Sequence, residues 1–441
     1  MHYEKFQDGT VKCIEDEIPF EVPDGWKWCR LPAITIDIFA GGDKPDSYEK
    51  NPTDICNIPI YSNGIENNGL YGFTNKPRVI EPSITISARG TIGFCCIRET
   101  PFVPIVRLIT ITPSKEFELY YLKTVFEALI ETGEGSSIPQ LTVPRIKPKL
   151  IPVPPVNEQI RIQNKLHEIL NSIAVISREK EELQQLLQTI KSKILDLAIR
   201  GKLVLQNPDD EPASVLLERI RIEKEELIKQ GKIKRDKKES VIFRGDDNSY
   251  YRQTGNLIEP ISDWELDDIP DSWALCCLGE LCDYGNCNNV EADSITNNAW
   301  ILDLEDIEKD TGRVIKKIRK TERDFTSTKH SFHEGQVLYS KLRPYLNKVI
   351  IADEDGFCTS EILPLDFSKV VLPQYALYYL MSPTFLKYAN RCSYGVKMPR
   401  LGTADGKKAI FPLPPLEEQY RISDCISKIF MQIDTISASI L

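Results

Sequence analysis

Hydrophobic positions along this chain follow two rhythms, and the change from one to the other happens twice. Ile162, Leu166, Ile169, Ile173, Ile176, Leu183, Leu187, Ile190, Ile194 and Leu197 alternate spacings of four and three, with Lys180 at the one polar step. Ile422, Ile426, Ile429, Ile433, Ile436 and Ile440 keep the same phase. A sustained 3.5-residue period is the signature of helix-on-helix supercoiling, whereas a helix lying on a globular core shows a broader 3.6-period face. The pattern predicts a first helix from Asn157 to Arg200, stopped by Gly201 and about 65 Å long, and a second with room for about 40 Å before Leu441. Antiparallel pairing within one chain and pairing between separate chains both satisfy such seams.

Between the stripes the rhythm shortens. Runs such as Thr85-Ile86-Ser87, Gln336-Val337-Leu338-Tyr339 and Val349-Ile350-Ile351 are bounded by Gly, Asn, Asp and Pro clusters, which predicts short strands. One amphipathic helix is expected near the end of each globular part, at 116–131 and 373–388. Residues 22–150 and 269–410 therefore read as α+β domains. Between the halves, the turn Asn207-Pro208-Asp209-Asp210-Glu211-Pro212 leads into a charged helix from Ser214 to Gln230 that Gly231 ends. The run Lys232-Ile233-Lys234-Arg235-Asp236-Lys237-Lys238 reads as a solvated linker, with a nucleic-acid or partner role as the alternative.

The two halves are copies of one unit. Pro23-Asp24-Gly25-Trp26 corresponds to Pro270-Asp271-Ser272-Trp273, followed by Leu31 and Leu278, and Ile138-Pro139-Gln140-Leu141 corresponds to Met398-Pro399-Arg400-Leu401. Pro152-Val153-Pro154-Pro155-Val156-Asn157-Glu158-Gln159-Ile160-Arg161-Ile162 matches Pro412-Leu413-Pro414-Pro415-Leu416-Glu417-Glu418-Gln419-Tyr420-Arg421-Ile422. Such duplication decides the architecture before any local feature does.

Composition narrows the function. The 441 residues, 41% hydrophobic and 27% charged, suit a soluble chain of two or three domains, with no apolar run able to cross a bilayer. The opening residues lack a secretory or transit pattern, so a cytoplasmic location is expected. A net charge of -10 argues against a protein that coats nucleic acid. Yet Arg313, Lys316, Lys317, Arg319, Lys320, Arg323, Lys329, Lys341, Arg343 and Lys348 face only Glu322, Asp324 and Glu334 in sequence, a basic island. The 12 cysteines are scattered without a C-x-x-C pair, and Cys276, Cys277, Cys282 and Cys287 read as structural thiols rather than a zinc site. Gly402-Thr403-Ala404-Asp405-Gly406-Lys407-Lys408 is one residue short of a phosphate loop and has Lys where a magnesium-binding hydroxyl belongs; an Asp-Gly turn accounts for it. Histidine is scarce (His2, His167, His330 and His333), and His330 and His333 are expected to hold a loop or donate to phosphate.

Together these motifs identify a resemblance to the specificity subunits of type I restriction-modification systems, covering nearly the whole chain. Its carriers are the Pro-Asp-x-Trp openings, the Pro-x-Pro-Pro-x-x-Glu-Gln-x-Arg-Ile junctions, and Gly201-Lys202-Leu203 through Asp210-Glu211-Pro212-Ala213-Ser214. Ser87-Ala88-Arg89-Gly90-Thr91-Ile92-Gly93 and Tyr339-Ser340-Lys341-Leu342-Arg343-Pro344-Tyr345-Leu346 are similar to that family's basic recognition loops. The resemblance implies an α+β fold of two target-recognition domains (1–155 and 259–415). Each would be followed by a conserved helix (156–200 and a short 416–441), with a central region at 201–258 and the helices in an antiparallel coiled coil.

It further implies a chain without catalysis of its own. It would read one half of a bipartite site in double-stranded DNA per domain and scaffold two methyltransferase subunits and motor-nuclease subunits. Those partners would supply S-adenosylmethionine, ATP and magnesium chemistry. Lys341, Arg343 and Arg89 beside Gly90 are the expected base or phosphate contacts, with Tyr345 and Lys348 adjoining. Lys316, Lys317, Arg319, Lys320, Lys329 and His330 are expected at phosphates, and Tyr61, Ser62, Asn63, Lys76 and Arg78 form a polar set in the first domain. The short second helix would leave part of the seam uncovered, to be compensated by a second copy. The competing reading is a coiled-coil scaffold for proteins without DNA specificity.

Overall fold

Isoleucine alternates with threonine and serine in the central strands of the first half, a pattern suited to a sheet with one oily and one hydrogen-bonded face. The computed structural model describes residues 2–130, 133–134, 140–231, 240–247, 249–261, 269–367 and 371–440. The chain divides at Arg178 and Glu179 into two units. In the first, β1 (Lys27–Arg30), β2 (Thr35–Ala40), β3 (Ser83–Ile86), β4 (Cys95–Arg98) and β5 (Ile109–Pro113) precede α1 (Leu119–Leu129) and β6 (Leu150–Val153). The sheet runs β2-β5-β3-β4, all antiparallel, with Ile84 opposite Ile111 and Ile86 opposite Ile109. These isoleucines pack against Tyr121, Leu122, Val125 and Phe126 of α1 in one buried cluster. On the other face Ser83 and Thr112 share a hydrogen bond of 2.8 Å, and Arg98 donates to Thr85 at 3.0 Å.

The long helix α2 (Val156–Ile199, 44 residues) begins in this unit and ends in the second. Its first turn carries a device that explains the repeated Pro-Pro-x-x-Glu-Gln motif. Gln159, 1% exposed, accepts from the Glu118 amide at the start of α1 (2.9 Å) and donates to the Pro154 carbonyl (3.1 Å), while the Tyr121 hydroxyl donates to Pro152 (2.8 Å). Each proline lacks an N–H but keeps its carbonyl, and these two side chains satisfy the carbonyls of Pro152 and Pro154. β1 and β6 pair so that Lys27 faces Val153, which brings the beginning and end of the domain together.

The second unit repeats this arrangement bond for bond. α3 (Ala213–Lys229) is followed by β7 (Ala274–Cys277), β8 (Val337–Ser340), β9 (Val349–Ile351), β10 (Ile362–Leu365), α4 (Pro373–Met381), α5 (Pro383–Cys392), β11 (Ile410–Leu413) and α6 (Leu416–Ile440). Gln419 accepts from the Leu372 amide (2.9 Å) and donates to Pro414 (3.1 Å), Tyr375 donates to Pro412 (2.9 Å), and Ala274 of β7 faces Leu413 of β11. The tryptophan openings also match: each Trp26 or Trp273 amide closes a turn onto Pro23 or Pro270. Trp273 goes further, donating its indole N–H to buried Glu418 (2.9 Å), which Gln206 also holds (2.6 Å). Burial is the main force raising the Glu418 carboxyl above its ordinary range. The Trp26 indole N–H is buried without a hydrogen-bond partner among the described residues.

A single helix expected over 373–388 is two helices, because Pro383 cannot continue α4. Ser382 ends α4, and its hydroxyl caps the Phe385 amide to start α5. α4 is buried all round, and its Tyr379 ring lies 4.4 Å from that of Phe411 and 5.2 Å from that of Phe385. The segment read as an Asp-Gly turn at 402–408 contains a short helix, Thr403–Lys407, in which any side chain at 406 would meet the buried Tyr284 ring at 2.2 Å. Cys276 and Cys282 lie in the apolar core, where burial pushes both thiols well up. The run at 232–238 lies outside the described residues. No described helix is long and apolar enough to cross a membrane.

The helical seam is buried only where α6 covers it. Leu187 and Ile194 share an apolar cluster with Ile422, Ile426 and Ile433, and Ile429 packs against it. Lys191 holds Asp434 at 2.5 Å, far along α6, whereas Gln206, past the end of α2, holds Glu418 in its first turn. The two helices therefore run in opposite directions. Ile169, Ile173 and Ile176 are exposed, as are Leu183, Ile190 and Ile436 in part; Leu166 and Leu197 are half-buried, and Ile162 packs into the first sheet cluster.

A second sheet in this unit is built around Trp300 and Phe332, whose rings meet edge to face at 5.1 Å. Beside it Lys329, 4% exposed, is held by Asp303 at 2.8 Å, and Arg323 binds Asp303, Glu305 and Asp306. Buried charges of this kind persist only as a paired set.

Two outcomes follow for stability. Gln419→Leu and Gln159→Leu keep the volume but leave a helix-start amide and a proline carbonyl unpaired, so each lowers unfolding stability of its own unit by about 2–4 kcal/mol in urea titrations. Lys329→Met removes the nearer of the two cations that hold Asp303 and costs about 2–4 kcal/mol in the same titration, whereas Lys341→Ala shifts the midpoint little.

Candidate nucleic-acid interface

Each unit carries one loop at which backbone and side chains converge outside the sheet. In the first, the chain leaves β3 through Ser87-Ala88-Arg89-Gly90, with Gly90 at a φ of +73° that an L side chain rarely adopts. Asn63 ties two loops together: its carbonyl accepts from the Ala88 amide and its amide donates to the Val106 carbonyl, both at 2.7 Å. The Gly64 amide donates to Ser87 at 3.3 Å, and Ser62 closes its own loop by donating to Gly69 at 2.8 Å. Arg89 is exposed and reaches Gln140 at 3.2 Å. Arg78 lies over Phe39 (4.7 Å) beside Gly42, whose carbonyl accepts from the Val106 amide. Lys76 is exposed two residues away.

Tyr61 plays a different part, since its ring is covered by the Arg98 guanidinium at 3.5 Å. Arg98 is itself buried, which lowers its affinity for a proton, and it also donates to the Asn68 carbonyl (2.6 Å). The structure adds Arg107, which no sequence feature marked. Val106 and Arg107 are both left-handed (φ +54° and +60°), an uncommon state for residues with a Cβ, and Arg107 is exposed beside Asn63.

In the second unit the corresponding loop leaves β8 at Ser340. The Leu401 amide donates to Lys341 (3.0 Å) as the Leu141 amide does to Ala88 (3.2 Å), so the equivalence drawn between the Gln140-Leu141 and Arg400-Leu401 segments is one of position as well as sequence. Ile138 and Pro139 lie outside the described residues. The Arg343 amide donates to Pro399 at 2.7 Å, and Arg343 (φ +49°) and Asn347 (φ +48°) bracket a single turn at Pro344–Leu346. Glu361 is committed to Arg400 in a forked pair at 2.9 to 3.1 Å. Among the described residues neither Lys341 nor Arg343 makes an ion pair, and Tyr345 is exposed beside them.

The remainder of the basic island does not form one surface. Acids distant in sequence fold onto it. Lys317 pairs with Asp353 (2.7 Å), Arg319 with Glu354 (2.9 Å), Lys316 with Glu322 (3.6 Å), and Arg313 with Asp434. Lys320 donates to the Ala292 and Ile295 carbonyls (2.8 and 2.6 Å), and Lys348 to Leu304 (2.6 Å), where burial lowers its pKa. Lys329 is inside the domain, and His330 is buried with Nδ1 against the Ile362 carbonyl at 2.9 Å. Lys329 and His330 are thus structural groups and cannot present themselves to a phosphate in this conformation. Lys316 and Arg313 remain largely exposed, each beside an acid. Among the described residues no cluster of three or more His, Cys, Asp or Glu could hold a metal ion.

Comparison with known proteins agrees with this duplicated layout. The family model described as "Type I restriction modification DNA specificity domain" matches twice, over residues 25–185 and 270–440. The EcoAI specificity subunit of Escherichia coli is 26% identical over 98% of this chain and 81% of its own length. The EcoDI subunit of the same organism is 24% identical over 74% of this chain and 65% of its own length, so the chain spans just under two thirds of that relative. A solved HsdS subunit from Thermoanaerobacter tengcongensis superposes with a TM-score of 0.51 at 16% identity, over 96% of this chain and 94% of that one. A chain from a solved type I R-M system gives 0.58 at the same identity and coverage; both show a shared fold. With two matches that cover most of its length and the same glutamine, tyrosine and proline hydrogen bonds at the helix junction of each repeat, the chain belongs to the type I restriction-modification DNA specificity family.

Proposed function

We propose that this chain is the sequence-reading subunit of a type I restriction-modification complex, each unit binding one half of a bipartite site in double-stranded DNA. The observation that carries the reading is the recurrence, at the same place in both repeats, of a loop bearing cations that no ion pair neutralises among the described residues: Arg89, held only by the neutral Gln140, in the first, and Lys341 and Arg343 in the second. Bases are discriminated by side-chain donors at their edges, while phosphate contacts position the protein. Arg107, Arg78 and Asn63 join the first surface, and Tyr345 the second. Lys317, Arg319, Lys320 and Lys348 serve mainly to hold their own domain together.

Catalysis belongs to partners in this reading. Two methyltransferase subunits dock on the helical regions and bring S-adenosylmethionine chemistry to an adenine in each half-site, and motor-nuclease subunits with ATP and magnesium join for cleavage. The antiparallel helices act as a ruler, setting the unread gap between half-sites. The exposed stretch of seam at Ile169, Ile173 and Ile176 offers a further helix, or a second copy of the chain, an apolar face.

Mapping adenine methylation across the source genome, with and without this gene, tests the reading. A two-part motif that loses methylation on deletion is the expected result; an unchanged pattern overturns it in favour of a protein-binding scaffold. In purified material, Lys341→Ala combined with Arg343→Ala lowers affinity for the motif roughly tenfold or more while leaving the thermal midpoint in place.

A further inference from the structure

Next to the Lys341–Tyr345 loop the second unit projects a two-stranded ribbon, and its chemistry is unusual for a surface element. Ser393–Tyr394 pairs with Arg400–Leu401, and Gly395 (φ +102°) opens the turn. At the tip Val396 is wholly exposed, Tyr394 is 63% exposed and Met398 43%. The only charge among them is Lys397, and no acid occurs between Ser393 and Leu401. Isolated apolar side chains at a surface need no explanation; three on one ribbon, at the edge of a basic loop, do.

The ribbon is also held firmly at its base. Backbone bonds join Leu401 to Lys341 (3.0 Å) and Arg343 to Pro399 (2.7 Å), and the Arg400 fork neutralises Glu361. The tip therefore moves with the cations rather than apart from them. A major groove admits a two-stranded ribbon, and the one apolar feature on its floor is the thymine methyl group.

We propose that Val396 is a specificity-determining residue, entering the major groove between phosphates bound by Lys341, Arg343 and Lys397 and packing on a thymine methyl in the half-site of the second domain. This rests on the DNA-reading function proposed above. Tyr394 and Met398 flank the contact and exclude water.

The test uses the full chain in complex with its methyltransferase subunits and a randomised duplex library, from which bound sequences are recovered. Wild type selects a two-part motif; Val396→Gly loses the preference for thymine at one position of one half, with an unchanged melting temperature, and Val396→Ile keeps it. Replacing that thymine by deoxyuridine weakens wild-type binding roughly threefold to fivefold, the worth of one buried methyl group, and leaves the glycine variant unaffected. If wild type selects a motif but Val396→Gly selects the same one, or weakens all sequences alike, or deoxyuridine is without effect, the role of Val396 is overturned. Selection of no motif by wild type overturns the DNA-reading function itself.

Discussion

Everything in this fold hangs on a buried side-chain amide bridging two backbones. Gln159 and Gln419 each sit in the first turn of a long helix, accept a hydrogen bond from the amide that starts a helix of the adjoining domain, and donate one to a proline carbonyl. Such a group is costly to bury unless both ends are satisfied, so it enforces one relation between the helix, the proline junction and the domain. The tyrosine that reaches the preceding proline locks the same corner from the other side. A domain so joined to its helix transmits orientation, which a flexible linker would not.

The charge pattern shows how far a linear sequence can mislead. Ten cations between Arg313 and Lys348 look like one basic face, but Asp303, Glu305, Asp306, Asp353 and Glu354 fold back onto Lys317, Arg319, Arg323 and Lys329, and backbone carbonyls hold Lys320 and Lys348. What remains outside is small and local, consistent with a protein that is acidic overall. Weak general attraction with concentrated contacts favours discrimination over indiscriminate binding.

The parts legible in sequence are those where one residue type does the same physical work twice. The Pro-Pro-x-x-Glu-Gln junctions and the tryptophan turns recur because their hydrogen bonds recur. The seam was readable from its period, although of its positions on α2 only Leu187 and Ile194 are buried with α6. The break at Pro383 was written in the sequence, yet the amphipathic pattern over 373–388 reads as one helix. Arg107 was illegible, since a left-handed valine-arginine pair has no compositional mark. Lys329 and Lys341 look alike in sequence; only the approach of Asp303 marks Lys329 as an internal strut.

One geometric detail reaches beyond a single protein. The strand that opens each recognition domain lies hydrogen-bonded to the strand that closes it, Lys27 against Val153 and Ala274 against Leu413. Entry and exit thus form one fixed socket, and the chain between them is an interchangeable cassette. Recombination within the two repeated junctions could exchange a whole cassette while leaving the socket, the glutamine bridge and the helix untouched, so new specificities could arise by splicing of intact parts rather than by gradual substitution.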